Sequence, residues 1–531
     1  MNTRRFEITD IGLLVDGRPT TQPVVTNQNP FSGVTYYKGS SLLDMLSYTL
    51  GANVFQQGLK LYVQKFAYSN ANHDDLWACL TQAAAANGIL DWNSTPLNVG
   101  NLMNPYILQK TFPVLKVVNE NGVIRYYQEP FVARSLLSPS IYNYTWNMPI
   151  FTQMSNQPTQ YVFDYFTGIS SKSTRGVVGT WTVQNAGFRS FMRVWYDDST
   201  WAPILNQLNS DPSVFEVKTR AMFLSDTYAL IGRGSLPWPR LLDLTLYLTK
   251  ETDQAPWNAV RGAFDSLIGN LKYQPEYSML LTYLRNLTKP AYIQKGWVNG
   301  GLWDINILSA QVTSLACQAG YTTCLSAANH YFSLFAAQCS NSVSGTNDCN
   351  PLKPDLRRSM YCFGVAQNKS YWDVANNLYN KATKLEFYFT EETDNLLYGM
   401  SCSTDQLTLT SMLRYAVGGK YQNPATVLRY IAANDLGPNA MWAYVTTSTA
   451  EVVNGVPNFD QFVLPMVSHW NSQAQLARMQ GFLSTPQATA AFSANEVAVW
   501  NRAIAQVQTN IAWVSNTKPA IAQWLQTNFG S

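Results

Sequence analysis

Charge is scarce in this sequence: Asp, Glu, Lys and Arg make up only 13% of its 531 residues. The surface must therefore be covered largely by neutral Asn, Gln, Ser and Thr side chains. The net charge is +3 and there is no Lys/Arg-rich run, so the chain has no electrostatic footprint for nucleic acid. Long apolar runs are missing too. Residues 305–347 contain no charge, yet Gln311, Thr313, Gln318, Asn329, His330 and Gln338 interrupt them. A membrane-spanning helix needs about 20 predominantly apolar residues. The stretch reads instead as buried amphipathic helices, and no membrane segment is expected in this chain. Histidine is rarest of all, with His73, His330 and His469 alone. No two stand at the i, i+4 spacing of a His-Glu-x-x-His zinc helix. No metal site or cofactor is expected within this chain.

What is present argues for several folded domains. The length exceeds what one core can serve, and a hydrophobic fraction of 46% excludes disorder. Residues 1–102 read as extended at first, then helical. Apolar residues at i, i+3, i+4 spacing mark 41–50 and 54–66, and a third helix runs from Asp74-Asp75 to Asn87-Gly88. Residues 103–196 change character. The segments 114–118, 123–127 and 191–195 are β-branched or aromatic, with turn-like linkers at 119–122 and 155–158. The first linker joins two strands as a hairpin, and the region reads as a small β-sandwich. From 197 to 531 the helical period returns, at 224–231, 241–248, 259–271, 277–287 and 497–513 among others. Successive helices without strands predict an α-superhelix of stacked pairs. The fold class expected is thus multidomain α+β.

Six of the seven cysteines lie between Cys317 and Cys402. Cys317 and Cys324 would stand about 10 Å apart on one continuous helix. A disulfide needs Cα atoms within roughly 7 Å, so this pair requires the helix break that Gly320-Tyr321-Thr322-Thr323 offers. Cys339 and Cys349 flank a Ser/Asn/Gly loop, Cys362 and Cys402 bracket a helical pair, and Cys79 is left over as a buried thiol. Four sequons, at Asn93, Asn143, Asn286 and Asn368, are acceptors for glycosylation, although Pro96 weakens the first. Cystines and sequons point to an oxidising, extracellular or luminal compartment. The N-terminus points nowhere, because Glu7, Asp10 and Asp16 break up any signal-peptide apolar stretch. A longer parent protein, anchored to a membrane through a missing N-terminal segment, would reconcile the two.

Specific segments carry a family resemblance. Tyr36-Tyr37-Lys38-Gly39 resembles the Tyr-x-Lys-Gly segment that follows the zinc site in gluzincin aminopeptidases of the aminopeptidase N and endoplasmic reticulum aminopeptidase type. Phe55-Gln56-Gln57-Gly58-Leu59, Asp75-Leu76-Trp77, Arg193-Val194 with Tyr196-Asp197, Arg220-Ala221 with Asp226, and Pro256-Trp257 follow in family order. So do Asp355-Leu356-Arg357 with Tyr361-Cys362, and Asn510-Ile511 with Trp513. The pairs Cys317/Cys324 and Cys362/Cys402 resemble cystines of extracellular members. The resemblance implies a helical remnant of a thermolysin-like catalytic domain in 1–102, a β-sandwich in 103–196 and a HEAT/armadillo-like superhelix in 197–531. It implies peptide substrates, zinc in the complete enzyme, and admits a homodimer.

The same resemblance shows what this chain lacks. Family members carry Gly-Ala-Met-Glu-Asn and His-Glu-x-x-His, with a later Glu ligand, upstream of Tyr-x-Lys-Gly, and none of these occurs here. Peptide hydrolysis by this route needs a three-ligand zinc with an open position, a general base and an oxyanion donor. Only the donor, Tyr36, carries over, so the chain is expected to be inactive alone. A non-enzymatic peptide- or protein-binding module is the alternative. His73 is expected to cap a helix, and His330 and His469 to be core or interface residues. Gly418-Gly419-Lys420 is no phosphate loop, because Arg414 and Tyr421 replace its first Gly and its Ser/Thr.

Overall fold

The computed structural model describes residues 2–168, 172–175, 180–298, 300–342, 346–384 and 390–530. The chain divides into two compact units, residues 1–260 and 261–531. The first begins with helix α1 (Asn2–Asp16), where an extended segment was expected. Its buried stripe is Phe6, Thr9, Leu13 and Asp16. Two of those four are polar, which hides the helical period from a hydrophobicity reading. Next come a π-helical turn (Val34–Lys38), α2 (Gly39–Leu50), α3 (Ala52–Lys65), α4 (His73–Ala86) and α5 (Val99–Ile107). Asn72, not His73, caps α4: its side chain accepts from the Asp74 and Asp75 amides, and Asp75 reciprocates.

Strands β1 (Pro113–Glu120) and β2 (Val123–Pro130) form the expected hairpin, paired from Pro113 opposite Pro130 to Glu120 opposite Val123. Asn121 and Gly122 both take positive φ, 56° and 85°. That is the two-residue turn whose twist matches a hairpin. Then follow β3 (Met148–Met154), β4 (Gln157–Phe166), β5 (Lys172–Arg175), β6 (Thr182–Val183) and β7 (Arg193–Tyr196). One sheet has the order β5-β2-β1-β7, with β1 and β7 parallel, and the other β4-β3-β6. The two meet where the Tyr126 ring contacts Phe166 at 6.0 Å between centroids. Helices α6 (Asp198–Ser210), α7 (Val217–Gly232) and α8 (Trp238–Thr245) complete the unit, and α9 (Gln254–Leu271) begins in it.

A buried ion pair ties the unit together. Lys38 and Asp16 have fully buried side chains, with Lys38 Nζ 2.8 Å from Asp16 Oδ2. The same ammonium donates to the carbonyls of Thr111 (3.0 Å) and Gln109 (3.4 Å). Asp16 Oδ1 accepts from the Thr21 hydroxyl at 2.8 Å and the Thr111 amide at 3.0 Å. Burial pushes the Asp16 carboxyl up and the Lys38 ammonium down, while their mutual attraction opposes both shifts. A second buried cluster joins α1, β7 and α7. Arg193 donates to Asp226 and Asp10, both at 2.9 Å, and Asp226 also accepts the Val194 amide.

The second unit is helical. It contains α10 (Tyr277–Lys295), α11 (Trp303–Gln318), α12 (Thr322–Cys339), α13 (Pro354–Val365), α14 (Lys369–Ala382), α15 (Thr390–Ser401) and α16 (Gln406–Val417). There follow α17 (Pro424–Ala433), α18 (Gly437–Thr447), α19 (Thr449–Gly455), α20 (Asp460–Val467), α21 (Gln473–Leu483), α22 (Pro486–Ala491) and α23 (Ala494–Phe529). Helices α11, α13, α15, α17, α20 and α23 pack successively in one row; α12, α14, α16, α18 and α21 back them. The charge-free stretch 305–347 supplies α11 and α12, and no helix of the described residues is long and apolar enough to cross a membrane.

Three disulfides stitch these helices: Cys317–Cys324, Cys339–Cys349 and Cys362–Cys402, with Cα separations of 5.2, 5.3 and 5.1 Å. The first closes across the expected break, where Gly320 takes a φ of 78° between α11 and α12. Cys79 is a buried free thiol.

Two measurements probe this architecture. Lys38→Met leaves a buried carboxylate unpaired and should cost about 3–5 kcal/mol, whereas Asp16→Leu with Lys38→Met should recover most of that loss. Urea-unfolding midpoints of the two variants decide it; equal losses would show that the pair is not coupled. In the second unit the His469 ring packs against Gly269. Burial, helped by the Lys272 ammonium, holds the imidazole pKa below its ordinary 6.5. The unfolded chain therefore binds this proton at a higher pH than the folded chain does. Stability from the neutral ring is full above about pH 6.5 and drains away as pH falls through the lowered folded value. The urea midpoint should drop between pH 7.5 and 5.5, and His469→Gln should flatten that drop.

Candidate functional site

The site is assembled around the π-helical turn 34–38. Ser32 starts it: its carbonyl accepts the Tyr36 amide at 3.2 Å, and its hydroxyl accepts the Thr35 amide at 3.2 Å. Val34 and Lys38 turn inward, while Tyr36 is 59% exposed. The anchor is Lys38, whose ammonium reaches Asp16 and lies 5.9 Å from the Phe191 ring centre. Beyond it, Leu42, Met45 and Leu46 bury the inner face of α2. A single turn thus separates an outward phenol from an inward, fully buried ammonium. Such π-turns inside helices recur at functional sites.

The Tyr36 hydroxyl makes no hydrogen bond among the described residues. Other large apolar side chains of this unit are exposed as well: Leu14 of α1, Phe31 and Leu43, at 61%, 79% and 36%, together with the neighbouring Tyr37. Of the apolar residues in α2 and α3, Leu42, Met45 and Leu46 are buried, whereas Leu43 and Val63 are exposed.

The described residues do not fit a zinc ion. Among them no three His, Cys, Asp or Glu side chains stand together as a ligand set. His73 opens α4, 3.5 Å from Asp74. His330 is exposed on α12 rather than in a core, and His469 is half-buried against Gly269. Sequence reasoning singled out Tyr36 but missed Lys38 and Asp16. The signal was present, since a Lys two residues from the phenol in a charge-poor chain needs a partner. Nothing in the sequence, however, marks Asp16 as that partner. The six paired cysteines lie in the second unit, away in sequence from this turn, and serve the helical scaffold.

Comparison with known proteins agrees with these residues. Residues 14–106 match the Peptidase family M1 domain, and residues 181–506 match the ERAP1-like C-terminal domain. The chain is 31% identical to "Putative aminopeptidase-2" of Caenorhabditis elegans, over 99% of this chain and 28% of that protein. It is 27% identical to aminopeptidase N of Oryctolagus cuniculus, over 98% of this chain and 54% of the relative. Against glutamyl aminopeptidase of Rattus norvegicus it is 28% identical, over 93% and 50%. The chain spans about half the length of the latter two relatives and little more than a quarter of the first. The ERAP1-like match alone covers more than half of the sequence, and the match to the peptidase domain includes the Tyr36 turn: the chain belongs to the M1 aminopeptidase family.

Proposed function

We propose that this chain supplies the oxyanion-binding side of an aminopeptidase active site, and that it removes N-terminal residues from peptides only when joined to a zinc-bearing half. The observation that carries this reading is Tyr36, an exposed phenol held on a turn whose neighbour Lys38 is locked into the core. A donor fixed in this way stabilises a developing oxyanion without reorganising, an effect worth about 3–4 kcal/mol. When bound in the complete enzyme, zinc polarises the peptide carbonyl and activates water. Its ligands, the general base and the acid that holds the substrate's amino terminus belong, on this reading, to the zinc-bearing half. On this reading 1–102 is the end of the catalytic domain, 103–196 a β-sandwich and 197–531 a superhelix. The three cystines support an extracellular or luminal location.

The chain alone should bind no stoichiometric zinc and cleave no aminoacyl-p-nitroanilide; one tightly held zinc with chelator-sensitive activity overturns the reading. Fused to the zinc-bearing half of a relative such as rabbit aminopeptidase N, the chain should be active. There Tyr36→Phe should lower kcat by about a hundredfold or more at unchanged zinc content. A full-rate Tyr36→Phe fusion would show that another group binds the oxyanion.

A further inference from the structure

We propose that the chain carries N-linked glycans on Asn143, Asn286 and Asn368, and that Asn286 accepts its glycan only before α10 has formed. The inference does not depend on the catalytic reading. It starts from the atom that would be modified, the side-chain amide nitrogen Nδ2. Buried asparagines of this protein spend that atom on structure. Asn185 Nδ2 donates to the Ser190 carbonyl at 3.1 Å, Asn471 Nδ2 to Asn270 at 2.7 Å, and Asn510 Nδ2 to Trp470 at 2.9 Å. The sequon asparagines do the opposite. All four are exposed. Where they bond locally they use the oxygen: Asn143 Oδ1 accepts from Arg134 at 3.3 Å, and Asn368 Oδ1 accepts the Ser370 amide at 3.1 Å. Their Nδ2 atoms make no hydrogen bond among the described residues, so a sugar there displaces no such bond. The three disulfides imply the oxidising compartment in which the lipid-linked donor is found.

The reaction is a displacement. Nδ2 forms a C–N bond to the anomeric carbon of an oligosaccharide, the anomeric C–O bond to a lipid pyrophosphate breaks, and the pyrophosphate leaves with that electron pair. The amide proton passes to a base of the transferase. The transferase reads the asparagine together with the hydroxyl two residues on, and the fold presents that pair differently at each site. At Asn368 the Ser370 hydroxyl donates to Asn368 Oδ1 at 2.9 Å in an exposed turn that caps α14, so both groups meet at one point. At Asn143, in a left-handed turn with φ 47°, the Thr145 hydroxyl lies 3.4 Å from the Asn143 carbonyl.

At Asn286 the pair is split. Residues two apart on a helix point about 200° apart. Asn286 is exposed, while Thr288 is fully buried and donates its hydroxyl to the Leu284 carbonyl at 2.8 Å. Once α10 closes, no active site can reach both. Asn93 is the least suited of the four: the Thr95 hydroxyl is bound to Asp91 at 2.9 Å, and Pro96 follows.

Two arms test this. The full chain is expressed behind a cleavable export signal in a eukaryotic secretory cell. The total membrane-fraction pool, folded or not, is deglycosylated by amidase in heavy-oxygen water and mapped by peptide mass spectrometry. Near-complete labelling of Asn143, Asn286 and Asn368, with much less at Asn93, is expected; absence of label at any of the three overturns the assignment. In the second arm, unglycosylated chain folded with its disulfides is incubated with purified oligosaccharyltransferase and lipid-pyrophosphate oligosaccharide. A peptide spanning 281–293 serves as the unfolded control, being too short for stable helix in water. Asn368 in the folded chain and Asn286 in the peptide should be modified, and Asn286 in the folded chain should not. Modification of folded Asn286 as fast as Asn368 refutes the ordering.

Discussion

The first unit depends on one interaction, the buried pair between Asp16 and Lys38. Taking both charges out of water costs several kcal/mol per ion, and only full hydrogen bonding offsets it. Here the ammonium lies 2.8 Å from Asp16 Oδ2 and also donates to the carbonyls of Thr111 and Gln109. The other carboxylate oxygen takes the Thr21 hydroxyl and the Thr111 amide. An apolar pair of equal volume could fill the same space at similar stability, but hydrophobic contact has no direction. The ion pair does. It accepts one arrangement of four segments far apart in sequence: the end of α1, the turn at Thr21, the π-turn and the approach to β1.

Tyr36 inherits its position from that arrangement. Its backbone lies in a turn closed at one end by Ser32 and at the other by Lys38, so the phenol projects from a fixed base rather than from a loop. Exposed apolar side chains of the same unit, Leu14, Phe31 and Tyr37 among them, gain nothing from solvent.

How far the sequence revealed this follows from particular residues. The hairpin was legible because Asn121-Gly122 is a turn signal between two β-branched runs. The cystines were legible from the break at Gly320 between Cys317 and Cys324 and the loop between Cys339 and Cys349, and the pairs Cys317/Cys324 and Cys362/Cys402 also from the resemblance to extracellular family members. Helix α1 was not legible, since Thr9 and Asp16 occupy core positions where apolar side chains belong and Asp10 is spent on Arg193. Strand β4 was missed for the converse reason: it is exposed over most of its length, so its pattern carries little burial signal. Of the candidate site, Tyr36 was visible as a motif residue, while Asp16 becomes the neighbour of Lys38, 22 positions later, only through tertiary packing.

The second unit solves the problem of low charge by a different route. Around α13 and α15, three devices act along one helix pair. At one end the Cys362–Cys402 bridge closes a separation of 40 residues. On a loop-entropy argument that is worth about 4 kcal/mol, against about 2.4 for the seven-residue separation of Cys317–Cys324. In the middle, Gly399 lets the backbone of Tyr361 approach so closely that any added Cβ would collide with it. At the other end Glu392 accepts from Tyr361 at 2.5 Å, Thr346 at 2.7 Å and Arg357 at 3.2 Å. Thr346 belongs to the loop between Cys339 and Cys349, so the buried carboxylate also holds the second disulfide loop against the helix pair. A covalent tie, a close backbone contact and a satisfied buried charge are each local. Set along one axis, they fix the separation and register of the two helices, and with them the row that α11, α17, α20 and α23 continue.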